Sequence, residues 1–232
     1  MVPQSGRDIS WNMENQTKDY SENPQEIIDE SFDIIDNLVD FDKIPESSRP
    51  IARRVIHATG DTDFADNLII NPQAVEAAVN AISNGKSIVT DVNMVKAGIS
   101  AKAINRFGGK IICRIAEEAV AKKAKETNKT RAITSMQESL ADISGGIVAI
   151  GNAPTAVFSI IDLIRREGVV PALVIAVPVG FVKAAESKEA LMTFLDNKKD
   201  IQIPYIVNIG RKGGSAVAVA IVNALINITK EM

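Results

Sequence analysis

The sequence predicts an α/β protein with three layers, in which helices cover both faces of a five-stranded parallel sheet. Beyond Gly85, five short runs rich in β-branched residues alternate with helical segments, as is typical of strand–helix–strand units. Several runs are apolar at every position, which indicates strands that are covered on both faces. A length of 232 residues and a hydrophobic content of 46% suit one domain with a large core.

The N-terminal part of the chain is predicted to consist of a leader and three helices, which precede the sheet. Residues 1–22 are polar and lack apolar periodicity, so we expect a flexible leader ahead of a single domain at 23–232. Asn23 is placed to cap a first helix and Pro24 to open it. Gly60 ends a second helix. The three predicted helices lie at Pro24–Leu38, 50–58 and from 71 to the Asn84-Gly85 stop.

The remaining chain supplies the sheet and its covering helices. The predicted strands are residues 87–90, 110–113, 146–150, 172–177 and 205–209. The helices that cover them are residues 130–143, 154–167, 184–195 and 215–229. No internal repeat and no linker indicates a second domain.

Composition excludes several classes of function. A net charge of -3 and an aromatic content of 4% do not suit a nucleic-acid binder, which needs a basic field and stacking platforms. No apolar stretch approaches the length of a membrane span, and the N-terminus lacks a signal-peptide core. The single cysteine rules out an internal disulfide. We therefore expect a cytoplasmic protein without nucleic-acid or membrane partners.

Ligands of open parallel sheets bind beyond the carboxyl ends of the strands, and small or polar residues follow the predicted strands here. Asp91 follows the first strand and Asn152 follows the third. After the fifth strand, Gly213, Gly214 and Ser215 open a helix whose free amides favour a carboxylate or phosphate. A tight turn with a helix cap explains the same residues, and no phosphate-binding or dinucleotide-binding motif is present. We expect no cofactor.

His57 is the only histidine in the chain, and imidazole alone titrates near neutral pH without help. It shares a helical face with Arg54, three residues earlier. If the protein is an acid–base enzyme, His57 is the predicted proton carrier; the alternative is an ordinary surface or core histidine. Arg131 can bind an acid through its planar fork, or it is a solvated helix-end arginine. The acidic residues after Gly60 have no second ligand cluster, so no metal site is predicted.

Five ordered blocks carry a resemblance to a known family. They are Arg-Val-Ile-His-Ala-Thr-Gly-Asp at 54–61, Thr-Asp-Val-Asn-Met-Val at 90–95, Ile-Gly-Asn-Ala-Pro-Thr-Ala at 150–156, Pro-Val-Gly-Phe-Val-x-Ala-Ala-Glu-Ser-Lys at 178–188 and Gly-Arg-x-Gly-Gly-Ser-Ala at 210–216. Together they resemble the precorrin-8X methylmutase family from about residue 26 to the C-terminus.

The resemblance implies a flavodoxin-like sandwich and a homodimer with its sites near the subunit interface. It implies an isomerase of cobalamin biosynthesis that moves a methyl group from C-11 to C-12 of precorrin-8X, or of cobalt-precorrin-8, to give hydrogenobyrinate or cobyrinate. By the same resemblance His57 handles the proton, Ser31 and Arg54 contact the corrinoid, and Arg131 clamps a carboxylate. Neither the metal-free nor the cobalt-containing route is selected.

Two other functions fit parts of the sequence. A non-catalytic corrinoid-binding protein would need the same anion-friendly pocket without a proton carrier. A flavodoxin-like signalling or nucleotide-binding domain rests on fold analogy alone. A corrinoid carries many carboxylates on a flat apolar ring, which suits scattered arginines and amide-rich loops.

Overall fold

A computed structural model describes residues 21–232 of the chain, with the exception of Lys199 and Ile201. The predicted flexible leader at 1–22 therefore falls outside the described residues, apart from its last two. The described chain forms, in order, α1 (Pro24–Leu38), α2 (Arg49–Thr59), α3 (Phe64–Asn67), β1 (Leu68–Ile70), α4 (Ala74–Ser83), β2 (Ile88–Thr90), α5 (Asn93–Gly98), α6 (Ala101–Arg106), β3 (Ile111–Ile112), α7 (Glu118–Glu126), α8 (Arg131–Glu138), α9 (Leu140–Ile143), β4 (Ile147–Ile150), α10 (Pro154–Arg166), β5 (Leu173–Ala176), α11 (Ala184–Asp196), β6 (Tyr205–Asn208) and α12 (Ser215–Glu231).

The strands form one sheet in the order β1-β6-β5-β4-β2-β3. Strands β2 to β6 are mutually parallel, so the prediction of a doubly wound parallel sheet is confirmed. Counted among the parallel strands alone, their order is that of flavodoxin-like sheets, and the strand order reverses between β2 and β4. Such a reversal opens a crevice at the carboxyl ends of these two strands.

The predicted strand number is wrong by one. Strand β1 pairs antiparallel with β6, with Leu68 opposite Asn208 and Ile70 opposite Ile206. Its three residues are too few to show a strand periodicity, and an antiparallel edge strand does not belong to the strand–helix–strand pattern that revealed the others. The sheet therefore has a sixth strand that closes the β6 edge.

Local signals place most helix boundaries well. Helix α1 has the predicted bounds, and the Asn23 side chain accepts a hydrogen bond from the Gln25 amide as its cap. The predicted helix at 130–143 is instead two helices, α8 and α9, with a turn at Ser139. Helices α5, α6 and α7, which were not predicted, lie on either side of the short strand β3.

Alternate strand residues face two separate apolar layers. One layer, which includes Ile88, Ile147 and Ile175, packs against α1, α2, α4, α5, α6 and α12. The other, which includes Val89 and Val148, packs against α8, α9, α10 and α11. This arrangement is the predicted three-layer sandwich. Within the described residues, none of the helices combines the length and the apolar character that crossing a membrane requires.

Candidate active site at the carboxyl edge of the sheet

Asp91 lies directly after β2, at the point where the strand order reverses. Its side chain is fully buried, and its carboxylate accepts hydrogen bonds from the amides of Gly151 (3.1 Å), Asn152 (2.8 Å) and Ala153 (2.7 Å). Burial raises the pKa of Asp91, and the three amides oppose that rise by stabilising the charged form. Both carboxylate oxygens are thus occupied by the loop after β4, which Asp91 holds in place.

The predicted substrate contact of Asp91 is therefore indirect in this conformation. A ligand would meet the loop that Asp91 holds before it met the carboxylate itself. The Asn152 side chain in that loop is exposed, as a residue predicted to contact substrate requires.

The glycine loop before α12 packs backbone against backbone with its neighbours. Gly213 has φ 140°, and a Cβ there would overlap the carbonyl oxygen of Val177. A Cβ on Gly151 would come 2.8 Å from the Cα of Ser215. These close approaches bring the loops after β4, β5 and β6 together. As at any helix start, the first-turn amides of α12 have no intrahelical acceptors. The amides and helix dipole favour an anion.

Beside the glycine loop lie apolar side chains that solvent reaches. Phe181 is 84% exposed, and the guanidinium carbon of Arg211 sits 5.6 Å from its ring centroid. Val179, Val182 and Ile209, which are also exposed, adjoin this pair in the chain. The stacked pair presents a flat apolar surface next to a positive charge, a combination that suits a large ring bearing carboxylates.

His57 lies in the last turn of α2, partly exposed, with its ring edge-on to Phe32 at 5.5 Å between centroids. Within the described chain its ring nitrogens make no hydrogen bond to another protein group. Phe32 follows Ser31, whose hydroxyl donates to the Ile27 carbonyl oxygen at 2.7 Å. Helix α1 thus brings the neighbour of one predicted substrate residue against the predicted proton carrier.

Arg54 lines a cavity of about 400 Å³ between α1, α2 and α12, together with Phe32 and Arg53. Arg53 is held by Asp36 at 2.6 Å, whereas Arg54 pairs with no carboxylate among the described residues. His57 does not line this cavity. Among the described residues the Arg54 guanidinium therefore has no carboxylate partner, and it lies beside a cavity that the strand-end loops do not line.

Lys212 connects the His57 helix to the glycine loop. Its ammonium donates to Asp61 at 2.7 Å and to Asp63 at 2.5 Å, and both carboxylates lie just after α2. The hydrogen bond from Lys212 lowers the pKa of Asp61. The first turn of α2 also shares the 400 Å³ cavity with the last turn of α12, so the two helices run antiparallel. His57 consequently lies toward the start of α12.

Arg131 is exposed at the start of α8, directly after Thr130. Thr130 caps α8 through the Ile133 amide, and its hydroxyl lies 3.2 Å from the Thr155 hydroxyl at the start of α10. Because α10 follows the loop that Asp91 holds, Arg131 stands at the same edge of the sheet as Asn152.

The predicted residues thus form two groups that Lys212 joins. Ser31, Arg54 and His57 lie on α1 and α2, and the others lie at the strand ends. Sequence reasoning missed Lys188, which is 1% exposed and beneath the glycine loop, and it missed the stacking of Phe181 on Arg211. Nothing in the sequence indicates that a lysine on a helix is buried. The one available signal was that Lys188 is the last residue of the sequence block at 178–188.

Comparison with known proteins identifies the family. A family model described as precorrin-8X methylmutase matches residues 26–228. The cobalt-precorrin-8 methylmutase of Priestia megaterium is 43% identical over 202 residues, covering 87% of each chain. The precorrin-8X methylmutase of Pseudomonas aeruginosa is 37% identical, covering 89% of this chain and 97% of that one. A crystal structure of precorrin-8X methylmutase from Thermus thermophilus superposes with a TM-score of 0.80 at 35% identity, covering 89% of this chain and 97% of that one.

The fold is that of a flavodoxin-like α/β protein, and its candidate site lies at the carboxyl edge of the sheet. The chain belongs to the precorrin-8X methylmutase family. It is accordingly an isomerase of cobalamin biosynthesis that shifts a methyl group, which leaves the alternative of a non-catalytic binding protein without support.

Proposed function

We propose that the protein moves a methyl group from C-11 to C-12 of precorrin-8X or cobalt-precorrin-8, giving hydrogenobyrinate or cobyrinate, with His57 as proton donor and acceptor. The observation that carries the proposal is the state of His57, the only histidine. It is partly exposed, its nitrogens have no protein partner among the described residues, and its helix is ion-paired to the glycine loop.

The proposed chemistry needs no electron acceptor. The bond between the methyl carbon and C-11 breaks as the bond to C-12 forms, in a 1,5-sigmatropic shift. Protonated His57 donates its hydrogen to a ring nitrogen, which draws electron density from the macrocycle and lowers the barrier. The proton returns to the imidazole as the product forms, so one group that both donates and accepts a proton is sufficient.

Substrate binding is assigned to residues that present free cations or amides. Arg54 and Arg131 have no carboxylate partner within the described chain, so they are proposed to bind the acidic arms of the corrinoid. Gly213 and Ser215 offer backbone amides to a further carboxylate, whereas the Gly214 amide already donates to the Val177 carbonyl oxygen at 2.8 Å and holds the loop in place. Asn152 and Ser31 offer polar side chains, and Asp91 positions Asn152 through its amide.

The test of function uses the purified protein with metal-free precorrin-8X and with cobalt-precorrin-8 in separate reactions. Turnover changes the conjugation of the ring and is followed by absorbance. We expect His57→Ala and His57→Gln to lower kcat by about 10²–10⁴-fold, the usual contribution of a general acid–base, while product binding stays within about threefold. Unchanged turnover in both variants would exclude the proton role. Inactivity of the wild type on both substrates would overturn the proposed reaction.

We also propose a homodimer that covers the outer face of α1. Ile27, Ile34 and Leu38 are 46%, 53% and 66% exposed, and their spacing puts them on one helical face with Ser31. A second copy packed there would bury this face and bring Ser31 to the interface. Sedimentation should give twice the 24.9 kDa chain mass. Leu38→Glu should give monomers, whereas Val170→Glu, at an exposed apolar position before β5, should not; dimeric Leu38→Glu would contradict the placement.

A further inference from the structure

Lys188 is a lysine with its charge in the protein interior. It extends from α11 under the end of β6 and is 1% exposed. Its ammonium donates to Asn208 Oδ1 at 3.2 Å and to the Lys212 carbonyl oxygen at 2.9 Å. No carboxylate pairs with it among the described residues. A buried ammonium held only by neutral oxygens is unusual, because burial of an unpaired charge is unfavourable.

Asn208 completes the same cluster of hydrogen bonds. It is buried, and its amide nitrogen donates to the Lys212 carbonyl oxygen at 2.6 Å and to that of Ile209 at 3.3 Å. The Lys212 carbonyl oxygen thus accepts two buried donors, and the next two residues are the glycines before α12. Three hydrogen bonds therefore fix the backbone at both ends of the turn that precedes the glycine loop.

The side chain of the same residue reaches in the other direction. The Lys212 ammonium binds Asp61 and Asp63, which follow the His57 helix. Residue 212 is therefore held at its backbone by Lys188 and Asn208, and it holds the end of α2 through its side chain. A shift of its backbone would move the glycine loop and the loop after α2 together.

From this geometry we infer that Lys188 is a positioning residue: it fixes the turn at 209–212 and the glycine loop that follows it, and, through Lys212, it fixes the 61–63 loop that follows the His57 helix. The kinetic part of this inference rests on the proposed function. The structural part does not, because it concerns the protein without substrate. Burial also lowers the pKa of Lys188 to about 8, against the smaller effect of Glu189, so the ammonium is charged at neutral pH.

The experiment compares Lys188→Met, which removes the donors, with Lys188→Gln, which keeps two donors without charge. Lys122→Met, at a solvent-exposed lysine of α7, is the matched control. Hydrogen exchange is measured on the substrate-free protein for segments 61–66 and 209–216. We expect Lys188→Met to speed exchange in both segments by about tenfold and Lys188→Gln by less than about threefold, with no change in the control.

Kinetics on the corrinoid substrate provide the second readout. Lys188→Met should raise KM by about tenfold and change kcat by less than about threefold, because a loose loop weakens binding while His57 remains. The inference would be overturned if Lys188→Met exchanged hydrogen in both segments at the wild-type rate. It would also be overturned if exchange in this variant were faster by the same factor throughout the protein. If Lys188→Met does not fold, Asn208→Ala must speed exchange in the 209–216 segment, and wild-type exchange there would equally overturn it. Failure of turnover in every protein, with the local exchange change present, would contradict only the proposed function.

Discussion

The two ends of the sheet differ in what they bury. At the amino ends of the strands a cavity of about 740 Å³ is lined by exposed polar side chains, among them Glu76, Asn80 and Lys86. At the carboxyl ends, Asp91 and Lys188 are buried, and each holds a loop by hydrogen bonds to backbone. Buried charged groups need partners to be tolerated, so their presence marks a precisely built region. Burial of charge therefore assigns the candidate site to the carboxyl ends, whereas cavity volume alone would assign it to the amino ends.

Removal of the Asp91 carboxylate is expected to give the largest effect on stability. Asp91→Ala leaves three amides without their acceptor, and we expect a loss of about 3 kcal/mol in the free energy of unfolding, measured by urea denaturation. Asp162→Ala is the control, since Asp162 makes only a long surface ion pair to Arg166 (3.9 Å). It should lose less than about 0.5 kcal/mol. Equal losses in the two variants would remove the distinction between the ends of the sheet.

The pH dependence of stability should reveal the buried charge of Lys188. Its pKa is about 8 in the folded protein against 10.5 for an ordinary lysine, so between these values the unfolded chain binds more protons. The free energy of unfolding therefore gains from this group as pH rises, by about 1.4 kcal/mol for each pH unit in that window. Urea denaturation of wild type and Lys188→Met should show a difference that shifts in favour of wild type above pH 8. A difference independent of pH would mean that the ammonium is not held in the interior.

Two glycines of one loop give a matched pair. Gly213→Ala adds a Cβ against the Val177 carbonyl oxygen at φ 140°, whereas Gly210→Ala meets open space at φ 76°. We expect Gly213→Ala to reduce the free energy of unfolding by about 2 kcal/mol and to weaken corrinoid binding, and Gly210→Ala to lose about 1 kcal/mol from backbone strain alone. Equilibrium denaturation and a binding titration check both. If Gly213→Ala bound the corrinoid with the same affinity as wild type, the close packing of this loop would not be needed for ligand binding.

Substitutions at the amino ends should have the smallest effects. Lys86→Met and Asn80→Ala change exposed side chains of the 740 Å³ cavity. Each should stay within about 0.5 kcal/mol of wild-type stability, as surface substitutions do. We expect turnover to stay within about twofold in both variants. A large loss of turnover in either variant would show that the cavity at the amino ends takes part in function, contrary to the assignment of the site to the carboxyl ends.

The predictable part of the fold followed from local chemistry. The cap at Asn23 and the following proline give the bounds of α1, and the apolar runs after Gly85 give strands β2 to β6. Strand β1 was not predictable because its pairing with β6 joins residues about 140 positions apart, and pairing over such a distance leaves no periodic pattern in three residues. Helices α5 and α6 are short. Helix α5 packs on α12 and β2, and Ala103 and Ile104 of α6 are buried in the same apolar layer, so these helices depend on packing rather than on a pattern of their own.

The candidate site divides in the same way. The chain by itself determined the single imidazole of His57, the small residues at the strand ends and the sequence blocks that identify the family, because residue type and order are local properties. Three further features appear only in the folded protein: Asp91 faces backbone amides, Lys188 is buried, and Lys212 joins Asp61 to the glycine loop. Those three facts depend on contacts between segments 20 to 151 positions apart, which exist only once the sheet has brought the ends of its strands together.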